Sequence, residues 1–168
     1  MIIESRTNKL IRPLFRKLSE GDLESLEVFS SGKWGMNWRE PFWNDYPVYG
    51  LFVDNQSTRV EGLASFYPKK GHLYMFQLET AVYNRYDSIT REYAGIGKHL
   101  VGLGCYLSNN KYSEITQGVL TAFSKPESRE FYALLEAQED ECDWWVFDHF
   151  LTGKIMDECF AFREEELV

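Results

Sequence analysis

The sequence is poor in cysteine, histidine and proline: its 168 residues hold three Cys, three His and five Pro. Cys105, Cys142 and Cys159 are an odd set at wide spacing. That pattern builds neither a disulfide framework nor a zinc site, and it suits reduced thiols. His72, His99 and His149 are isolated and show no metal-ligand spacing. No stretch approaches the ~18 apolar residues that a membrane-spanning helix needs. The opening residues Met1-Ile2-Ile3-Glu4-Ser5-Arg6 lack an apolar signal core. Basic residues are also in deficit. Eighteen Lys and Arg against 26 Asp and Glu leave a formal charge of −8, the wrong sign for a dedicated nucleic-acid binder. A soluble cytoplasmic protein is expected, with neither membrane nor nucleic acid as partner.

Aromatic residues are abundant, with five Trp, ten Tyr and twelve Phe. They supply a core, and a chain this long buries roughly 70% of its unfolded surface. No repeat, low-complexity run or Pro/Gly/Ser linker divides it, so residues 1–168 are expected to form a single domain.

Residues 10–18 read as a first strand that Pro13 confines to an edge or bulge. Ser19 can cap a helix whose first turn holds Glu20 and Asp22; Leu23, Leu26 and Phe29 line its buried face to an end near 30–32. Residues 33–47 crowd Trp34, Trp38, Phe42, Trp43 and Tyr46 between Gly35, Pro41 and Pro47. Two readings stay open there: a loop packed on the core, or one wall of a substrate pocket. Residues 48–53 and 59–67 read as a hairpin about the turn residues 54–57. Residues 68–71 form the next turn, and 72–82 a long strand with Glu79 and Leu73 on opposite sides from Tyr74 and Val82. A polar connection, 83–92, follows. Ile96, Leu100, Leu103 and Leu107 then mark an amphipathic helix that closes at 109–111, with Gly102 and Gly104 inside it where close packing would call for them. Residues 115–123 read as a strand. Pro126 opens a helix with Phe131, Leu134 and Leu135 on its apolar face. Residues 144–150 and 154–162 read as two closing strands about Thr152-Gly153.

Gly95 and Gly97 sit between a strand array and the start of the amphipathic helix. Exposed amides at a helix start, with glycine allowing close approach, can hold an anion; a plain tight turn is the other reading. No Gly-Lys-Ser/Thr follows at Walker spacing, and the glycines do not follow the first strand of a βαβ unit, so neither a P-loop nor a dinucleotide fold is indicated.

The order of elements, the segment Glu92-Tyr93-Ala94-Gly95-Ile96-Gly97-Lys98-His99-Leu100 and the late segment Ser124-Lys125-Pro126-Glu127-Ser128-Arg129-Glu130-Phe131-Tyr132-Ala133-Leu134-Leu135 resemble the GNAT superfamily of acetyl-CoA-dependent N-acetyltransferases. The glycine segment is similar to that family's pyrophosphate signature, Gln/Arg-x-x-Gly-x-Gly/Ala. The late segment is similar to the family's late helix with its Phe-Tyr pair. Glu92 stands where the family has Gln or Arg, with Arg91 beside it. The linker from Val82 to Gly95 is longer than usual. Ser124 or Ser128 stands in for an absent Asn, and the Leu-Gly-Phe ending is missing.

The resemblance implies an α+β, α/β/α-layered fold with a mixed, mostly antiparallel sheet of roughly seven strands and helices on both faces. It implies acetyl-CoA as co-substrate and transfer of its acetyl group to a primary amine, of a small molecule or a peptide, by direct attack. The backbone of Ala81 and Val82 would lie along the pantetheine arm, and the amides of Gly95, Ile96, Gly97 and Lys98 would hold the pyrophosphate. Glu79 would serve as base, or be a paired strand carboxylate; Tyr132 would be the acid, or pack at the core rim. Cys105 reads as a buried thiol and His99 as a solvated helix residue. The acidic run Asp140, Glu141, Asp143 is a solvated loop or an attractor for a cationic amine. A non-catalytic CoA-binding sensor or partner module is the alternative. Acylation of an aminoacyl-tRNA, as in some small toxins of the superfamily, is disfavoured by the chain's acidity. Homodimerisation is compatible with the resemblance.

Overall fold

The structure is a computed structural model that describes residues 1–54, 58–85, 88–141 and 143–160. Residues 55–57 of the expected hairpin turn, Tyr86 and Asp87 of the polar connection, Cys142 and the last part of the expected closing strand lie outside the described residues.

Among the described residues ten strands and six α-helices follow one another: β1 (Ile2–Glu4), β2 (Lys9–Ile11), β3 (Leu14–Leu18), α1 (Glu20–Ser25), α2 (Glu40–Trp43), β4 (Val48–Phe52), β5 (Gly62–Lys69), β6 (His72–Thr80), β7 (Tyr93–Ala94), α3 (Ile96–Asn109), α4 (Ser113–Thr116), β8 (Leu120–Phe123), α5 (Arg129–Leu134), β9 (Gln138–Glu139), β10 (Trp144–Phe147) and α6 (His149–Cys159). A small sheet has the order β2-β1-β7, and a seven-stranded sheet the order β3-β4-β5-β6-β8-β10-β9. The pairings β3–β4, β4–β5, β8–β10 and β10–β9 are antiparallel, and β6–β8 is parallel. The expected mixed, mostly antiparallel α+β fold is thus present. Contacts group the described residues into two compact units, 1–65 with 77–100, and 66–76 with 101–160. Strands β5 and β6 and helix α3 contribute to both.

In the first unit, Pro13 falls between β2 and β3, and β3 is an edge strand, as a residue without an N–H requires. Ser19 caps α1 through a reciprocal box: its hydroxyl accepts from Asp22 N–H, and Asp22 accepts from Ser19 N–H at 2.7 Å. Those bonds hold the Asp22 carboxyl below its ordinary range. Helix α1 stops at Ser25 rather than near residue 30; Glu27, with φ +56°, turns the chain out of it. The core gathers Leu18, Leu23, Val28, Trp38, Val48, Phe52, Val60 and Leu63, with Trp34, Met36 and Phe42 packed on it. Most of the aromatic segment is therefore core, while Trp43 stays exposed.

In the second unit three sequence expectations fail for local reasons. Residues 115–119 are not strand: Thr116 Oγ1 donates to the carbonyls of Ser108 and Tyr112, closing the single turn of α4, and left-handed Gln117 and Gly118 reverse the chain into β8. Residues 154–159, from the expected closing strand, are helix. Asp148 caps α6 by accepting from Leu151 N–H at 2.9 Å, and Thr152, Ile155 and Cys159 form its buried face, so Thr152-Gly153 lies inside a helix instead of at a turn. On α5 the buried residue is Tyr132, while Leu134 is exposed. Helix α3 matches expectation, and Gly102 and Gly104 make room for Cys159 and Phe66.

Candidate active site

Strand β7 delivers the chain to Gly95, whose φ of +93° is the left-handed backbone that glycine adopts without strain. Helix α3 starts at the next residue, and its first return bond runs from His99 N–H to Gly95 O at 3.1 Å. The amides of Ile96, Gly97 and Lys98 precede any helical acceptor. No acidic residue stands in that first turn. Main-chain amides that precede the helical ladder, together with the positive end of the helix dipole, suit an anion here. A methyl group at Gly62 would come within 2.6 Å of Ile96 Cγ2 and 2.8 Å of Leu100 Cδ1, so the bare backbone of β5 is what lets the start of α3 seat on it.

Ala81 and Val82 follow the end of β6. The ladder between β6 and β8 stops at Met75↔Ala122, although β6 continues to Thr80. Ala81 is fully buried, and its main chain is committed: its N–H donates to Glu61 O at 3.0 Å, and its carbonyl accepts from Asn84 N–H at 2.8 Å. Val82 is exposed.

Glu79 is only 7% exposed. Its Oε1 accepts from Gly35 N–H at 2.6 Å and from Arg85 Nη2 at 2.9 Å. Its Oε2 accepts from Met36 N–H at 3.1 Å and from Trp38 Nε1 at 2.9 Å. The residue singled out as a proton acceptor has two donors on each oxygen, and its visible work is to tie residues 35–38 to β6.

Tyr132 lies in the second unit, 6% exposed, stacked on Trp145 at 5.8 Å and edge-on to Phe147 at 6.2 Å. Burial raises the pKa of its phenol, which stays protonated. Ser124 is buried and accepts from Trp145 Nε1 at 2.8 Å, so it supports the ring beneath Tyr132.

No protein-family model matches the sequence, and a search of curated proteins finds no match. Solved structures do match. One described as a bacterial toxin gives a TM-score of 0.62 at 12% identity, over 92% of this chain and 100% of that one. A mutant of the toxin AtaT, bound to the C-terminus of the antitoxin AtaR and acetyl-CoA, gives 0.59 at 12% identity, over 85% and 97%. The GNAT family N-acetyltransferase YhbS from Escherichia coli, in complex with CoA, gives 0.54 at 14% identity, over 83% of each chain. The chain has the GNAT fold.

Within the GNAT fold this chain carries a polar cluster that the sequence did not point to. Glu61 is fully buried, accepting from Arg59 Nε at 2.7 Å and from Asn84 Nδ2 at 2.8 Å. Burial raises its carboxyl pKa, although its donors oppose the shift. Asn84 Oδ1 in turn accepts from Tyr93 N–H at 3.0 Å. Glu92, which the resemblance sets against a Gln or Arg, pairs with Arg59 Nη2 at 2.8 Å. The available signal was a lone carboxylate in the otherwise apolar run Val60-Glu61-Gly62-Leu63-Ala64.

The remaining candidates resolve simply. Cys105 is fully buried, and burial raises its thiol pKa, which makes it an inert core residue. Among the described residues no group of His, Cys, Asp and Glu is arranged to hold a metal. In the acidic run, Asp140 and Glu141 are exposed and Asp143 pairs with Arg129 at 3.4 Å.

His99 departs from the solvated residue expected. It is 4% exposed, its Nδ1 lies 2.8 Å from Gly95 O, and burial lowers its pKa to about 4. The folded chain therefore keeps a neutral imidazole where the unfolded chain, with an ordinary value near 6.5, binds a proton. Stability from this group is present above pH 6.5 and falls as the pH drops toward 4, by about 3 kcal/mol in all. Urea unfolding at pH 7.0 and pH 4.5 should show a smaller difference for His99→Gln than for the parent chain; equal differences would refute the assignment.

Proposed function

We propose that the chain is an acetyl-CoA-dependent N-acetyltransferase acting on a primary amine. The observation that carries this reading is the left-handed Gly95 opening directly into the acid-free first turn of α3, in a GNAT fold. The amides of Gly95, Ile96, Gly97 and Lys98 hold the pyrophosphate. Ala81 and Val82 flank the pantetheine arm, with Val82 presenting the accessible surface. Neighbours of the same fold have been solved with acetyl-CoA or CoA, which supports the choice of co-substrate.

A neutral amine attacks the thioester carbonyl. In this reading the C–N bond forms, the C–S bond breaks, the departing thiolate takes the proton of the Tyr132 hydroxyl, and the phenolate recovers a proton from water. Glu79 was expected to remove the amine's proton. Four donors already occupy its oxygens, so in this reading the proton passes to water and Glu79 fixes the 35–38 segment.

Thermal unfolding with 1 mM acetyl-CoA tests the reading. A ligand at about 100 times its dissociation constant adds about 2.7 kcal/mol, which raises the Tm by about 5 °C or more for a domain of this size. No shift would refute it. Thiol release should then follow with at least one of spermidine, a lysine-containing peptide or an aminoacyl-tRNA. The last is included because two neighbours are described as toxins. Binding without release from any of them would favour the non-catalytic module.

A further inference from the structure

We propose that Arg59, Glu61, Asn84 and Glu92 are a latch that positions the cofactor turn, so that acetyl-CoA affinity depends on residues that do not touch the cofactor. The inference rests on the reading above. Its starting point is the long linker between Val82 and Gly95, which must end in one place if the amides of α3 are to converge on a pyrophosphate. Strand β7 has only two residues, and its ladder to β1 consists of Ile3↔Ala94 and Glu4↔Tyr93. A ladder of that length is marginal by itself.

The polar cluster supplies the missing constraint. Asn84 holds Tyr93 N–H, two residues before Gly95, and donates to the Glu61 carboxylate. Arg59 bridges Glu61 and Glu92 at 2.7 and 2.8 Å, and its guanidinium lies 4.8 Å from the centre of the Tyr83 ring. Glu92 N–H closes the loop on Tyr83 O at 3.2 Å. Glu61 therefore reaches the strand entering the turn through Asn84, while Gly62 beside it seats Ile96, the first residue leaving it. Two consecutive residues, Glu61 just before β5 and Gly62 at its start, thus act on the two sides of Gly95.

A buried carboxylate with its ion pair is a weak source of stability, because desolvation offsets most of the attraction. Its geometric role is the better account of its presence. The same arrangement explains the departure at Glu92: the carboxylate faces Arg59, and its charge is compensated there.

The test is isothermal titration of the full chain with acetyl-CoA at 15 °C, with folding checked by circular dichroism. Asn84→Ala should raise the Kd about tenfold or more, since small displacements of preorganised groups have large effects. The exposed partner change Glu92→Gln, which leaves the buried pair intact, should raise it about threefold and serves if Asn84→Ala does not fold. Val28→Ala, a core truncation in the same unit outside the latch, should leave the Kd within twofold. If the parent chain does not bind acetyl-CoA, the functional reading fails and takes the latch with it. If the parent binds and Asn84→Ala and Glu92→Gln bind equally well, the latch alone is overturned. Equal weakening by Val28→Ala would also overturn it, since the effect would then follow from general destabilisation.

Discussion

Glu79→Ala should destabilise the folded chain by about 3–5 kcal/mol, because several N–H groups lose a buried acceptor at about 1–3 kcal/mol each. Four donors lose their acceptor at once: the main-chain N–H groups of Gly35 and Met36, the Trp38 indole and the Arg85 guanidinium. Trp38 is 1% exposed, so its N–H cannot turn to water without moving the ring out of the core it shares with Leu18, Leu23 and Val48. Arg85 is 42% exposed along its side chain and can rehydrate, which makes the three N–H groups the costly part. Glu79→Gln keeps the shape and one carbonyl but turns an N–H toward two of the donors, and should cost about 1–3 kcal/mol. Urea unfolding at pH 7 measures both. A loss below about 1 kcal/mol for Glu79→Ala would mean that the carboxylate does not anchor the segment, and would return Glu79 to candidacy as a base.

How much of this was legible in the sequence depended on the range of the interactions. The cap at Ser19 spans three residues, the glycine turn three, and the apolar stripe of α3 repeats within one helix; all are visible along the chain. Strands β1, β7 and β9 have two or three residues and carry no periodic signal. In α6, a Thr-Gly pair imitated a turn. The deciding facts were the Asp148 cap and the inward spacing of Thr152, Ile155 and Cys159, and these outweigh the roughly 1 kcal/mol that one helical glycine costs. In α4, β-branched Ile115 and Thr116 imitated a strand, but Thr116 spends its hydroxyl on the carbonyl of Tyr112, at the start of its own turn, and on that of Ser108 in α3.

The site divides the same way. The helix-start amides follow from local backbone geometry, so the sequence alone names Gly95 and its neighbours. Glu79 could be placed on its strand, but its partners lie 41 to 44 residues earlier and 6 later. Without them a structural carboxylate and a catalytic one are indistinguishable. The latch is less visible still: Glu61 to Asn84 spans 23 residues and Arg59 to Glu92 spans 33.

Tyr132→Phe is expected to separate chemistry from binding. Phenylalanine keeps the ring that stacks on Trp145 and meets Phe147, so the Tm should move by no more than about 2 °C; changes that remove no buried contact usually stay within about 0.5 kcal/mol. Acetyl-CoA should bind with unchanged Kd. Turnover should fall about 100-fold, the lower end of what a positioned acid contributes, with kcat and kcat/KM reduced together because the lost interaction exists only while the thiolate forms. The pH dependence supplies an independent check. Burial raises the phenol pKa above its ordinary value of 10, so the acid form persists at every pH below that, and turnover by the parent chain should show no falling limb from this group between pH 7 and 10. Turnover of Tyr132→Phe within threefold of the parent would remove Tyr132 from the mechanism and leave protonation of the thiolate to water.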